Sequence, residues 1–164
     1  MGAFYLKNVH EFMNRSKLGD IGLSLLPISL RHVLQKSKNM TTEQVAKRLV
    51  ELCREGKYQQ VYDELFSPDV RSIEPEGGPW GTVQGFAAMA EKSKQWNEMV
   101  AEFHAGSISD PLVAADHFTL VMKSNITLKG MDHPIDMDEV CVYKVEDGKV
   151  VSEQFFYTPM PQPV

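Results

Sequence analysis

The sequence has few of the features that mark several large classes of protein. Only two of its 164 residues are cysteine, Cys53 and Cys141, so no disulfide framework is implied and the cytoplasm is the expected location. The longest apolar run, residues 21–30, is interrupted by glycine, serine and proline. It falls short of the roughly 20 residues that a membrane span needs, so we expect no membrane partner.

The motifs of several enzyme classes are also missing. The chain contains no glycine-rich phosphate loop, no Gly-x-Ser-x-Gly motif and no Cys-x-x-Cys pair. Its five histidines show no His-x-x-x-His spacing, so no metal site is expected. Nucleotide enzymes, serine hydrolases of that kind and thiol redox enzymes are therefore disfavoured, and we expect no cofactor.

Charge divides the chain into two parts. Residues 1–39 carry six Lys/Arg and two Asp/Glu, or +4, whereas residues 40–164 carry eleven and twenty, or −9; the total is −5. Nucleic acid is a poor partner for the acidic part. We expect residues 1–39 to be an extension: a disordered segment, a stretch left untranslated because synthesis begins at Met40, or a basic amphipathic segment that targets or docks the protein.

Local patterns predict three helices early in the following domain, which we place at residues 40–158. Thr41 and Gln44 form a capping-box pattern, and the helix that starts there is expected to stop at Gly56. Apolar residues at helical spacing predict a second helix over residues 58–66 and a third over residues 85–97.

Strand patterns dominate the rest of the domain. The predicted strands are residues 70–74, 99–109, 118–128, 135–145 and 150–157. Asp147-Gly148 is a strong hairpin signal between the last two, and the proline-rich tail, residues 159–164, should be extended. This order predicts an α+β fold: a curved antiparallel sheet wrapped on three N-terminal helices, forming a cone with a pocket at its open end.

Several short patterns resemble those of one known family. They are Glu51-Leu52, Gly56-Lys57, Phe66-Ser67-Pro68-Asp69-Val70, Gly85 and the stretch from Tyr143 to Val150. Together they resemble the SnoaL-like branch of the nuclear transport factor-like (cystatin-like cone) superfamily, with its ketosteroid isomerases, polyketide cyclases and limonene epoxide hydrolases. The resemblance covers residues 41–157. It implies the cone fold, a homodimer and a small, apolar or carbonyl-containing metabolite as the ligand.

The resemblance carries over only part of the family's chemistry. Glu74, followed by Pro75, stands where ketosteroid isomerase-like members have their proton-shuttling acid. Leu49 and Cys141 stand where those enzymes have oxyanion donors. Phe155 replaces the last-strand aspartate of SnoaL-type cyclases and limonene epoxide hydrolases. Neither mechanism therefore carries over whole.

Strand alternation places further polar side chains on the face that carries Cys141 and Phe155. The catalytic candidates are Glu74, Glu139, Glu153 and His104, the last of these only if no bulge turns it away. The ligand-binding candidates are Trp80, Leu49, Cys141, Tyr143, Phe155 and Tyr157. Against this, both strand glutamates could face solvent or pair with lysines, and His104 could be an ordinary packed residue.

Two functions follow from these candidates. Carboxyl groups clustered in an apolar cavity cannot all ionise without a large cost in free energy. One of them should therefore keep a proton near neutral pH, and it could then act as the acid while a second carboxyl group acts as the base. We therefore expect a cofactor-free isomerase, cyclase or dehydratase with Glu74 as the general base. The alternative is a non-catalytic module of the same fold that binds a small ligand or dimerises.

Overall fold

The computed structural model describes residues 40–78 and 80–158; the predicted extension and tail lie outside them. The helices are α1 (Thr42–Arg54), α2 (Tyr58–Leu65) and α3 (Gly85–Met99). The strands are β1 (Phe66–Ile73), β2 (Val83–Gln84), β3 (Val100–Ile108), β4 (Leu112–Ala114), β5 (His117–Leu128), β6 (Ile135–Glu146) and β7 (Lys149–Phe156). No helix within the described ranges is long and apolar enough to cross a bilayer.

Helix α1 begins and ends as its sequence predicts. The Thr41 hydroxyl accepts the Gln44 amide at 3.3 Å, and the Gln44 side chain accepts the Thr41 amide at 2.8 Å. At the other end Gly56 adopts a φ of 70°, and the Lys57 amide donates to the Leu52 carbonyl at 2.8 Å. These bonds satisfy backbone groups that the helix itself leaves unpaired.

The sheet confirms the predicted α+β cone, with one pairing that the sequence did not predict. Its order is β2-β1-β7-β6-β5-β3, and β4 pairs with β5. All pairs are antiparallel except β1 with β7, so the curved, unclosed sheet is mixed. Strands β2 and β4, at two and three residues, are too short to show a period of two.

The predicted hairpin between β6 and β7 is confirmed. Asp147 and Gly148 have φ values of 49° and 76°. Positive φ at both central residues suits a two-residue turn whose twist matches that of the flanking strands. The turn pairs Glu146 with Lys149, and a register shift between Lys144 and Val145 then brings Cys141 opposite Phe155; this register builds the site.

Two apolar clusters pack on the concave face of the sheet. The main core joins α1 and α2 to the inner faces of β5, β6 and β7. The smaller cluster consists of Trp80, Trp96, Val100, Ile126 and Leu128. Tyr157 packs against both clusters.

Between the two clusters the described residues cover the concave face only in part. Met122, Ser124, Met137 and Glu139 share the inward face of β5 and β6 with buried Leu120 and Cys141. The first four are nevertheless only half-buried. This gap between the clusters is the hollow in which we place the candidate site.

Candidate functional site

Cross-strand rows of inward-facing side chains build the site. Ser72 of β1 lies opposite Glu153 of β7, which lies opposite Tyr143 of β6. Two residues nearer the hollow, Cys141 lies opposite Phe155. Side chains in one row of a sheet stand about 5 Å from their neighbours, so each row brings its members into contact range.

A buried ion pair joins the sheet to α3 in this region. The Lys92 ammonium contacts Glu74 Oε1, and the two side chains are only 7 % and 0 % exposed. The same ammonium donates to Ser72 Oγ at 2.8 Å and lies 5.0 Å from the centre of the Phe155 ring. The Tyr157 hydroxyl donates to Glu74 Oε2 at 2.7 Å. A continuous polar network therefore crosses the apolar interior.

These contacts keep Glu74 ionised. Burial alone would raise the pKa of its carboxyl, but the Lys92 charge and the hydrogen bonds from Lys92 and Tyr157 outweigh burial and lower the pKa. A carboxylate held by two donors is a weak base. Glu74 lies at the site that the sequence predicts, but its environment suits a polar anchor better than the expected general base.

Glu153 has the opposite electrostatic environment. It is 1 % exposed, and this burial raises its pKa to about 7 although Lys92 and Ser72 pull in the other direction. The charges of Glu74 and Glu139 add to the rise. Its Oε2 has no hydrogen-bond partner among the described residues. A carboxyl with this pKa can take up and release a proton near neutral pH.

Burial also raises the pKa values of two neighbours of Glu153. Glu139 is half-buried at the edge of the hollow, and burial, assisted by the charge of Glu74, raises its pKa. The pKa of the Cys141 thiol is raised strongly by burial as well. Cys141 is therefore an inert thiol, whereas Glu139 is a second carboxyl able to hold a proton.

His104 is not brought to these carboxylates. Its Nε2 lies 2.8 Å from Thr127 Oγ1, and Thr127 alternates with the inward-facing Ile126 and Leu128. Thr127 and its partner therefore belong to the outer face of the sheet. The register of β3 against β5 shifts between Val100 and Glu102, so Glu102 lies opposite the outward-facing Thr127. This irregularity turns His104, two residues further on, away from the hollow.

The ligand-binding candidates separate into two groups. Leu49, Cys141, Tyr143 and Phe155 are almost fully buried in the main core. Trp80 belongs to the smaller cluster, where its Nε1 donates to Gln95 at 3.0 Å and its ring meets Trp96 edge-on at 5.9 Å. Half-buried Tyr157 is placed best to contact a molecule in the hollow.

Lys92 is the functional residue that the sequence reasoning missed. It lies on the stripe of α3 that buries Met89, Ser93 and Trp96. Position 92 follows Met89 by three residues, so helical spacing alone places it on the buried face. A lysine on a buried stripe needs a counter-charge, and that requirement was the available signal.

The described residues form no group of three or more histidine, cysteine, aspartate or glutamate side chains that could hold a metal ion. The Lys92 ammonium supplies the positive charge between the carboxylates instead. The site thus consists of one cation, three carboxyls and two hydroxyls in an apolar surround, on a cone-shaped α+β domain.

Comparison with known proteins identifies the domain. The family model of the SnoaL-like domain matches residues 40–157, and the chain belongs to this family. A crystal structure from Mesorhizobium loti, provisionally named a SnoaL-like polyketide cyclase, is 35% identical to it. The match covers 72% of this chain and 100% of that one, with a TM-score of 0.67. No curated protein gives a significant match.

More distant structures support the fold alone. A protein of unknown function with a cystatin-like fold from Xanthomonas campestris is 22% identical, with a TM-score of 0.60 over 72% of this chain and 91% of that one. A protein with a ketosteroid isomerase-like fold from Catenulispora acidiphila, in complex with trimethylamine, is 18% identical. Its TM-score is 0.56 over 72% of this chain and 88% of that one.

Proposed function

We propose that the protein binds a small, mostly apolar, carbonyl-containing metabolite in the hollow and transfers a proton on it without a cofactor. The reaction would be of the isomerase, cyclase or dehydratase type. The observation that carries this proposal is Glu153, a buried carboxyl with a pKa of about 7 and an unpartnered oxygen. It shares one polar network with the ammonium of Lys92, through Ser72.

The network suggests how a proton would move. Ionised Glu153 takes a proton from a carbon next to the ligand's carbonyl group: the C–H bond breaks, a carboxyl O–H bond forms, and the electron pair moves to the carbonyl oxygen. The Lys92 ammonium favours the resulting negative charge because opposite charges attract strongly where water is excluded. Glu153 then returns its proton to another position of the ligand.

Glu74 has a supporting role in this proposal. It is paired with Lys92 and hydrogen-bonded by Tyr157, so it holds the ammonium in place rather than exchanging protons itself. Glu139, half-buried and nearer the opening, is the second carboxyl that a ligand would meet. In this proposal Glu153 and Glu139 therefore form the acid–base pair that we expected from the sequence.

We predict that the protein accelerates the exchange of α-protons of small ketones with D₂O, measured by NMR on cyclohexanone and larger cyclic ketones. Glu153→Gln should reduce the enzymatic rate by about 100-fold or more, because removal of a positioned acid–base group typically costs that much. The control is Glu146→Gln, an exposed glutamate at the end of β6, which should keep the wild-type rate.

The outcomes separate the two candidate functions. A wild-type rate in Glu153→Gln would refute the role of this carboxyl. The absence of exchange in the wild type, with a ketone bound and recovered unchanged, would favour the non-catalytic binding module. That alternative has its own support, since Leu49, Cys141 and Phe155 are apolar core residues where family enzymes carry polar groups.

We further propose that the protein is a homodimer formed through the outer face of the sheet. Val121, Val140 and Phe156 lie in one cross-strand row on β5, β6 and β7 and are 37%, 40% and 50% exposed. Adjacent exposed apolar side chains of this kind mark interaction surfaces. A second copy of the same row would cover them symmetrically.

Light scattering should therefore give about twice the 18.5 kDa of one chain. Val140→Lys should shift the protein to the monomer, since it places a charge in the middle of the row. Met131→Lys, which changes a residue that is 41% exposed in the turn between β5 and β6, is the control and should leave the dimer intact. A monomeric wild type, or a dimeric Val140→Lys variant, would contradict this interface.

We also propose the cytoplasm as the location. Cys53 and Cys141 are both free and buried, and burial raises the pKa of the Cys53 thiol to about 12. Buried thiols with raised pKa values resist oxidation and suit a reducing compartment.

A further inference from the structure

Two residues that lie opposite each other on the sheet each bury a polar atom that has no partner among the described residues. Tyr143 is 0% exposed and Glu153 is 1% exposed, and they lie opposite each other on β6 and β7. Tyr143 Oη and Glu153 Oε2 both lack a hydrogen-bond partner among the described residues. A buried polar atom without a partner costs stability, so two at adjacent positions require an explanation.

Packing does not explain the Tyr143 hydroxyl. The ring stacks on Phe118 at a centroid distance of 4.8 Å and meets the edge of Phe66 at 6.4 Å. A phenylalanine would make the same ring contacts without burying an oxygen. The ring contacts therefore give no reason for the hydroxyl.

The charges around these two atoms define what could bind there. Three carboxyls, Glu74, Glu139 and Glu153, surround the single ammonium of Lys92, and Glu74 is already paired with it. A second anion would meet repulsion that no other cation among residues 40–78 and 80–158 offsets at these two atoms. A tyrosine hydroxyl and a carboxyl can instead donate to and accept from one uncharged oxygen.

We propose that Tyr143 Oη and Glu153 Oε2 form an inner polar subsite for an uncharged oxygen group of the ligand, a hydroxyl or a carbonyl oxygen. This inference rests on the proposed function only in placing the ligand next to Glu153. It narrows the ligand to a neutral compound with an oxygen at its buried end, and excludes carboxylates and phosphates from that end.

The test compares three probes of similar size: phenol, toluene and benzoate, titrated against the full chain by NMR. Wild-type protein should bind phenol about tenfold more tightly than toluene, the effect of one buried hydrogen bond, and benzoate more weakly than phenol. Tyr143→Phe should lose most of this preference, because Glu153 Oε2 is then the one partner of the phenol hydroxyl left in the subsite. Tyr58→Phe, which changes a half-buried tyrosine at the start of α2, is the matched control and should keep the preference.

The melting temperature of Tyr143→Phe separates a ligand-binding hydroxyl from a structural one. If the hydroxyl serves only a ligand, Tyr143→Phe should melt at the same temperature as the wild type or a few degrees above it, because an unpartnered buried group has been removed. A fall in melting temperature, or a phenol preference retained by Tyr143→Phe, would overturn the subsite. Equal binding of phenol and toluene by the wild type would do the same.

A second measurement does not depend on the variant. In protein labelled with ¹³C at glutamate carboxyls, phenol should shift the Glu153 resonance and toluene should leave it unchanged; an unmoved resonance contradicts the subsite. These binding results are independent of α-proton exchange. If the protein prefers phenol but exchanges no protons, the subsite is supported and the proposed reaction is refuted. If it exchanges protons but does not prefer phenol, only the subsite is refuted.

Discussion

Lys92→Met is expected to lower the free energy of unfolding by about 3–5 kcal/mol, the largest stability effect that we predict for this protein. The substitution keeps a long apolar stem but removes the ammonium, so the fully buried Glu74 carboxylate loses the charge that compensates for its desolvation. Ser72 Oγ also loses its donor. Urea unfolding at pH 7 measures the change.

Two variants make this result specific to the buried pair. Lys94→Met changes an exposed lysine on the same helix and should stay within about 0.5 kcal/mol of the wild type. The double variant Lys92→Met with Glu74→Gln removes both charges and should be more stable than Lys92→Met alone. A loss below about 1 kcal/mol in Lys92→Met would mean that water reaches the carboxylate.

The second expected result is a loss of stability between about pH 4.5 and pH 7 that Glu153→Gln largely removes. Glu153 has a pKa of about 7 in the folded protein against 4.5 for an ordinary glutamate, so the folded state holds the proton more tightly. Stability is therefore highest below the lower pKa and falls as the pH rises through the upper one. A difference of this size corresponds to about 3 kcal/mol.

Glu153→Gln should consequently be more stable than the wild type above pH 7, with a much flatter profile across this window, because an amide does not ionise. Glu146→Gln should keep the wild-type slope, since that glutamate is exposed at the end of β6. Glu139 contributes with the same sign as Glu153, so some slope can remain in Glu153→Gln. Thermal unfolding at half-unit steps from pH 4 to pH 8 measures both profiles.

Two alternative results would contradict this assignment. A wild-type profile that rises with pH across the window would mean that Glu153 is ionised and satisfied in the folded state. An unchanged slope in Glu153→Gln would assign the titration to other groups near Lys92. Glu74 cannot substitute for Glu153 in this test, because its lowered pKa produces a loss of stability only at more acidic pH.

The parts of the fold that the sequence predicts well depend on short-range interactions. The capping box at Thr41, the glycine stop at Gly56 and the hairpin at Asp147-Gly148 involve residues within a few positions of each other. The alternation of β5 is equally local, because it repeats every two residues. Elements too short to repeat, such as β2 and β4, leave no such pattern.

The candidate site was predicted only in part, for the opposite reason. Glu139 and Glu153 were selected by alternation and Glu74 by its place before Pro75, and the structure places all three around one ammonium. His104 was selected by the same rule, but a register shift in β3 changed its face. A single irregular residue turns the residues after it to the other face until a second shift, here between Phe103 and Ala105, restores the alternation; the sequence carries no clear sign of either.

The sequence by itself determined the helices, the hairpin, the SnoaL-like resemblance and the carboxyl-rich inner face. Only the tertiary structure decided which carboxylate is neutralised and which can hold a proton, because that depends on where Lys92 enters from α3. The parallel pairing of β1 with β7 brings Ser72 opposite Glu153, residues 81 positions apart in the chain. The pKa of a buried group depends on neighbours in space, and those neighbours come from three separate elements here.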